Sequence, residues 1–343
     1  MRVFVPWALA VVCLTVPLNA VRAQDAADPF QSIIPNPNRP PPPPRIAPQR
    51  WYPAPAPAPV SRPAPGRNSP ATPSQPADPA TAAYARAAAL AQSGQLDPAL
   101  REMETAIRAN GREPLYYKVR GNIYFNKADY SHAIDDYDRA IKGNPGDGES
   151  YQHRGLAYFY NKGQYRRAIQ DFTQAIQLAP NDPEIYKMRG LAYYYEKGGY
   201  DLAIQDFDQV LRLNPRDTEM YRTRGSTWMN KGQYARAVQD FDQVYRANPK
   251  DVEALRSRGI CYGNLRQFDA ALNDLNTVLT AAPQDAIAWY SRGGVYRLMG
   301  QTDKALADYT RANALDPKLK IPRMINPPQT QQSPGFGGWR GRR

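Results

Sequence analysis

The sequence predicts an all-α chain built as a solenoid of stacked helix–turn–helix units, and three observations carry that prediction. A glycine directly preceded by arginine recurs at Gly121, Gly155, Gly190, Gly225, Gly259 and Gly293, with gaps of 34, 35, 35, 34 and 34 residues. An alanine follows each glycine by 12 or 13 residues, at Ala133, Ala168, Ala203, Ala237, Ala271 and Ala305. A proline closes each unit, at Pro145, Pro180, Pro215, Pro249, Pro283 and Pro317. A fixed period in this range marks a stacked-repeat architecture, in which each unit buries its apolar face against its neighbours.

Residues 1–23 read as a secretory signal. Arg2 gives the positive start, Phe4 to Leu18 is an apolar run, and Val21-Arg22-Ala23 supplies small residues for cleavage before Gln24. The run is shorter than the roughly 20 residues an ordinary membrane span needs and contains Pro6 and Pro17. The expected location is therefore periplasmic or secreted, with no transmembrane span after signal removal. Cys13 lies in this segment, so a mature chain would keep one thiol, Cys261, and no intramolecular disulfide. At mid-helix, Cys261 reads as a small buried apolar residue.

Residues 24–79 form a linker with 19 prolines between Pro29 and Pro79, including the unbroken run Pro40 to Pro44. Proline fixes φ and removes a donor, so the segment is predicted to be disordered and extended, near polyproline II. It reads as a spacer or as a ligand for proline-recognising partners, with an undedicated linker as the plain alternative.

Seven units follow, at 80–113, 114–147, 148–182, 183–217, 218–251, 252–285 and 286–319. Most clear units read aromatic–x–x–Arg–Gly–x–x–aromatic, a turn, then aromatic–x–x–Ala, an acid and a closing proline. Tyr151 to Tyr158 shows the first half and Tyr165 to Phe172 the second. Spacings of three and four put the large side chains on one face of a helix, and the small residues fall where two helices approach closely. The first unit is degenerate, with Ala87, Met103 and Gly111 at the signature positions.

This pattern strongly resembles the tetratricopeptide repeat, over residues 80–319. The resemblance implies a right-handed superhelical solenoid and a non-catalytic role in binding other proteins. It also implies that the first helix of each pair lines a concave face. On that face the resemblance places Lys118, Asn122 and Phe125, then Gln152, Leu156, Phe159 and Tyr160, then Lys187, Leu191, Tyr194 and Tyr195, then Arg222 and Asn230. Lys118 and Asn122 match the start of the clamp that some family members close on a peptide's C-terminal carboxylate. Glu184 and Met188 stand where its later basic residues belong.

One departure from the family pattern is systematic. Arginine precedes the signature position in all seven units: Arg86, Arg120, Arg154, Arg189, Arg224, Arg258 and Arg292. An acid follows 16 or 17 residues later: Glu102, Asp136, Asp171, Asp206, Asp240, Asp274 and Asp308. Arginine stems pack among apolar groups while the head meets a carboxylate, so the pairs read as a structural ladder between helices. Units 3 and 4 also carry surplus rings, Tyr158-Phe159-Tyr160 and Tyr193-Tyr194-Tyr195, and one extra residue each. Two readings stay open for those rings: anchors in a peptide groove, or wedges between neighbouring units.

The tail at 320–343 is basic, with glycine, arginine and aromatic residues at Gly335 to Arg343. Pro322, Pro327 and Pro328 prevent a capping helix there; Ile321, Met324 and Ile325 could cover the last pair instead. Otherwise self-association through an uncapped end is expected. The formal charge of +12 sits mostly outside the repeats, where 31 basic residues meet 29 acidic ones over 80–317. That balance argues against a nucleic-acid partner. Neither His132 nor His153 sits in a ligand-like cluster, and no phosphate-cradling loop or nucleophile signature appears, so no metal, cofactor or catalytic activity is expected. The sequence points to an exported interaction scaffold of a bacterial cell envelope with a protein or peptide partner. The alternative is a wall- or membrane-associated tether acting through the spacer and tail.

Overall fold

The computed structural model describes residues 78–322. The signal-like segment, nearly all of the proline-rich linker and residues 323–343, with Met324 and Ile325, lie outside the described residues. All regular structure among the described residues is α-helical: fourteen helices joined by short turns. They are α1 (Pro79–Gln92), α2 (Leu96–Ala109), α3 (Pro114–Asn126), α4 (Tyr130–Gly143), α5 (Gly148–Tyr160), α6 (Tyr165–Leu178), α7 (Pro183–Tyr195), α8 (Tyr200–Leu213), α9 (Thr218–Asn230), α10 (Tyr234–Ala247), α11 (Val252–Asn264), α12 (Phe268–Ala281), α13 (Ala286–Leu298) and α14 (Thr302–Leu315).

The chain divides into two compact units at Gly232 and Gln233. In the first, α1–α2, α3–α4, α5–α6 and α7–α8 pack as pairs, and each second helix also meets the next first helix, up to α8 against α9. First helices touch one another as well, α1 with α3, α3 with α5 and α5 with α7. The second unit holds α10 to α14, with α11–α12 and α13–α14 paired and α11 touching α13.

The signature glycines show why the pairs close. A Cβ at Gly155 would lie 2.8 Å from the Phe172 ring, and at Gly190 it would lie 2.6 Å from the Phe207 ring. Both rings are fully buried in the second helix of the same pair. The alanines of the second helices, Ala133, Ala168, Ala203, Ala237, Ala271 and Ala305, are fully buried too.

Helix starts have a chemical cause that the sequence reading passed over. An aspartate two residues after the closing proline caps the next first helix. Asp217, Asp251 and Asp285 accept from the backbone N–H of Met220, Ala254 and Ala288, each at 2.9 Å. Helix ends follow the closing prolines. Asn144, directly before Pro145, leaves the helical region at φ −140° and ψ 86°, as a residue preceding proline must.

The extra residues of units 3 and 4 fall in the turns within those pairs. The turns run 161–164 and 196–199, where other pairs use three residues, as at 127–129. Gly199 has no tolerance for a side chain, since a Cβ there would lie 2.0 Å from the Tyr193 carbonyl oxygen.

At the C-terminal end, Leu319 is the residue that packs down, and the Asn313 Nδ2 donates to its carbonyl at 3.1 Å. Ile321 remains 41% exposed. The expected cover by Ile321 is therefore corrected: a turn after Asp316 brings Leu319 inward first and leaves Ile321 outside.

Candidate functional site

The arginine–aspartate pairs are buried and bidentate. Arg120 donates to both Asp136 oxygens at 2.7 Å, and Arg189 to the Asp206 oxygens at 2.9 and 2.7 Å. Arg154 with Asp171, Arg258 with Asp274 and Arg292 with Asp308 repeat the geometry at 2.7–2.8 Å. Arg86 also reaches Glu102, but its side chain is 56% exposed. Burial works against the Arg154 charge, yet the bonds to Asp171 outweigh it and raise the guanidinium's pKa.

A further contact was not anticipated. The remaining nitrogen, Nη1, reaches back to the second helix of the preceding repeat. Arg154 donates to Asp138 at 2.5 Å, Arg189 to Thr173 at 3.1 Å and Arg224 to Asp208 at 2.5 Å. In the second unit Arg258 donates to Asp242 and Arg292 to Asn276, each at 2.7 Å. These acceptors sit two residues after the ladder acid, and their variety (Asp, Thr or Asn) hid them from the sequence reading. Arg154, Arg189, Arg258 and Arg292 thus each hold their own pair closed and fasten it to the pair before. Aromatic faces complete the setting, as with Arg154 over Tyr151 at 5.6 Å and Arg292 over Trp289 at 4.6 Å.

The first-helix positions expected to meet a ligand divide into two groups. Asn122, Phe125 and Phe159 are 1%, 3% and 0% exposed. They are corrected to core. The Tyr137 hydroxyl donates to Asn122 at 2.9 Å, and the two phenylalanines fill the space between pairs. Helical spacing placed them one step too far around the helix. Gln152, Tyr160, Lys187, Tyr194, Tyr195, Arg222 and Asn230 are half-buried, with part of each side chain open to solvent. Lys118 is half-buried as well, and is already engaged by Asp147 at 3.1 Å and Glu149 at 3.0 Å. Burial disfavours its charge, but those two carboxylates overcome the effect and raise its pKa. With Asn122 inside and Lys118 paired, the start of the carboxylate clamp is not assembled.

The surplus rings form one continuous run at the turn end of repeats 2 to 4. Tyr160 meets Phe125 at 6.3 Å and Tyr130 at 6.1 Å in the preceding repeat. Phe159 and Tyr165 meet Tyr195 of the following repeat at 5.8 and 5.6 Å. Tyr194 stands against Tyr195 at 5.1 Å and Tyr200 at 5.6 Å, and its hydroxyl accepts from Asn230 at 2.6 Å. Tyr160 and Tyr195 therefore wedge between repeats, and the part of each ring left open borders the surface. Burial pushes the Tyr160 and Tyr194 phenols above their ordinary range and Tyr195 up to about 12. Beside this run, Gly163, Gln164, Tyr165, Arg166, Arg167 and Glu196 line an open recess of about 430 Å³ where the longer turns meet.

Elsewhere the chemistry is sparse. Among the described residues no group of His, Cys, Asp and Glu could hold a metal ion, and no helix is long and apolar enough to cross a membrane. Cys261 is fully buried, and burial raises its thiol pKa. His153 packs on Tyr137 at 5.9 Å.

Paired antiparallel helices at this period, closed by small residues and stacked through shared arginines, define a helical-hairpin repeat protein. A tetratricopeptide repeat family model matches residues 84–148, 193–252, 223–264 and 258–319, more than half of the chain, and a TPR repeat model matches 159–194. The chain belongs to the tetratricopeptide repeat family. A comparison with curated proteins finds no match. Among solved structures, the C-terminal part of a TPR repeat-containing protein from Cytophaga hutchinsonii aligns with TM-score 0.57 and 20% identity, over 68% of this chain and 95% of its own. YrrB, a TPR protein described as having an unusual peptide-binding site, aligns with TM-score 0.51 and 22% identity, over 55% of this chain and 97% of its own. A tetratricopeptide repeat protein from Parabacteroides merdae gives TM-score 0.50 and 21% identity, over 69% of this chain and 93% of its own. At these identities the likeness speaks to the fold.

Proposed function

We propose that this protein is a non-catalytic scaffold that holds a segment of a partner protein against the first helices of repeats 3 to 5. Family membership supports the general role, since such repeats serve mainly in protein–protein interaction. One local observation supports the place. The half-open rings of Tyr160, Tyr194 and Tyr195 run on into the polar positions Gln152, Lys187, Arg222 and Asn230 at matching places on α5, α7 and α9. Rings held by their neighbours present apolar area at little entropic cost, which suits anchor side chains of a ligand. Lys187 meets the exposed Glu184 one turn away at 3.3 Å, and Arg222 meets the exposed Glu219 at 3.2 Å. Such contacts contribute little, so a ligand carboxylate can replace them. The fitting partner is a segment with one or two large apolar side chains followed by an acid.

The signal-like residues 1–23 support a reading in which this activity lies outside the cytoplasm, in the cell envelope, with the proline-rich linker as spacer. The test is affinity capture from envelope extract with the mature chain and a Lys187→Glu, Arg222→Glu double variant. A defined protein retained by the native chain and lost by the variant, with unchanged circular dichroism, supports the reading. Equal recovery by both would refute it.

A further inference from the structure

A second recess lies at the opposite end of the repeat 2 helix pair, where α3 begins and α4 ends. A thirteen-residue helix separates it from the ring run by about 20 Å. Gly111, Arg112, Pro114, Tyr117, Arg139, Lys142 and Gly143 line an open recess of about 290 Å³ there, its three cations exposed to solvent. Arg139 lies over the Tyr117 ring at 5.4 Å, and the Tyr117 hydroxyl is fixed by donating to the Gly111 carbonyl at 3.1 Å. The floor is tight, because a Cβ on Gly143 would lie 2.5 Å from Pro114.

The lining carries three cations and no acid. None of the three forms an ion pair among the described residues, whereas the ladder arginines Arg120, Arg154, Arg189 and Arg258 do. The nearest acids in sequence are spent elsewhere. Glu113 accepts from the Leu115 backbone N–H at 3.3 Å, and Asp138 accepts from Arg154 at 2.5 Å.

The arrangement is particular to this repeat. At the positions of Arg112, Arg139 and Lys142, repeat 3 has Gly146, Gln174 and Gln177, and repeat 4 has Asn181, Gln209 and Arg212. Repeat 5 has Arg216, Gln243 and Arg246; repeat 6 has Lys250, Thr277 and Thr280; repeat 7 has Gln284, Arg311 and Ala314. The helix packing works in every repeat without the trio, so packing does not demand it.

We propose that this recess binds a phosphate-type oxyanion, held by the forks of Arg112 and Arg139 and the ammonium of Lys142. Two guanidinium groups match the oxygen edges of such a group. A phosphoryl dianion carries about −1.5 to −2 at neutral pH, which balances three cations better than one carboxylate does. The volume admits the phosphoryl group and the atom that bears it.

Isothermal titration of the mature chain with inorganic phosphate, at constant ionic strength set with chloride, tests this. Saturable binding is expected, with Arg139→Ala and Lys142→Ala each weakening it about tenfold. Arg311→Ala, the matching position in repeat 7, should leave it unchanged. Thermal melts of every variant, read without phosphate, separate loss of the site from loss of the fold. No saturable binding, or equal binding by the folded Arg139→Ala variant, overturns the proposal. Tighter binding of a short glutamate peptide than of phosphate or a phosphoserine peptide would also overturn it, by assigning the recess to carboxylates.

Discussion

Asp206 is 4% exposed and receives two bonds from Arg189, whose third nitrogen is committed to Thr173. Removing the carboxylate leaves a guanidinium in a dry site with its main partner gone. Asp206→Ala should therefore cost about 3 kcal/mol in urea denaturation. Glu102→Ala, at the exposed pair with Arg86, should cost under about 1 kcal/mol. Equal small losses would mean that the ladder does not hold the repeats. His153 gives a pH signature. Burial first, and the charge of Lys118 second, lower its pKa from 6.5 to about 3. The unfolded chain thus binds a proton below pH 6.5 that the folded chain refuses until about pH 3. Stability from this group is complete above the upper value and falls as pH drops through the window. Melting temperature measured from pH 7 to pH 4 should fall less steeply in His153→Gln; parallel curves would show that other groups carry the acid response. The ladder was legible in the sequence because arginine and acid keep a fixed spacing. The Nη1 link and the burial of Asn122, Phe125 and Phe159 were not, since both depend on the repeat next door.

At the scale of the element, the turns within pairs separate conformational demand from packing demand. Ala128 and Arg266 sit at the left-handed position of their three-residue turns, with φ of 60° and 58°. That conformation costs a residue with a Cβ about 1 kcal/mol. Ala128→Gly and Arg266→Gly should each raise stability by up to about that amount in denaturant titration. Gly199 is limited differently, because its φ of −84° suits any residue while the Tyr193 carbonyl leaves no room. Gly199→Ala should destabilise by more than about 2 kcal/mol and disturb the longer turn on which Tyr195 and Tyr200 are placed. A helix start can be weighed the same way: Asp217→Ala removes the bond to the Met220 N–H and should cost about 1 kcal/mol. The helices and their ends could be read from period and proline. The site of the extra residue in units 3 and 4 could be read too, but not the choice between groove and wedge for the surplus rings. Periodicity reports one helix face at a time, and a wedge is decided by two.

For the whole molecule, the repeat logic makes stability nearly a sum of pair and neighbour terms, and the shared arginines act at the joints where Arg154, Arg189, Arg224, Arg258 and Arg292 reach the preceding repeat. The body is close to electrically neutral, with the basic excess in the flanking segments. Fold class was therefore fully legible, while the proposed partner choice rests on the few half-open positions that vary between repeats. That is the central claim, and site-directed photo-crosslinking in the native cell tests it most directly. A benzophenone amino acid at Gln152 or Lys187 should join the chain to one protein of constant mass. The same probe at Leu178 or Leu213, exposed on second helices at 46% and 36%, should not. Crosslinks from Leu178 and Leu213 with none from Gln152 and Lys187 would contradict the account and move the interaction to the other face.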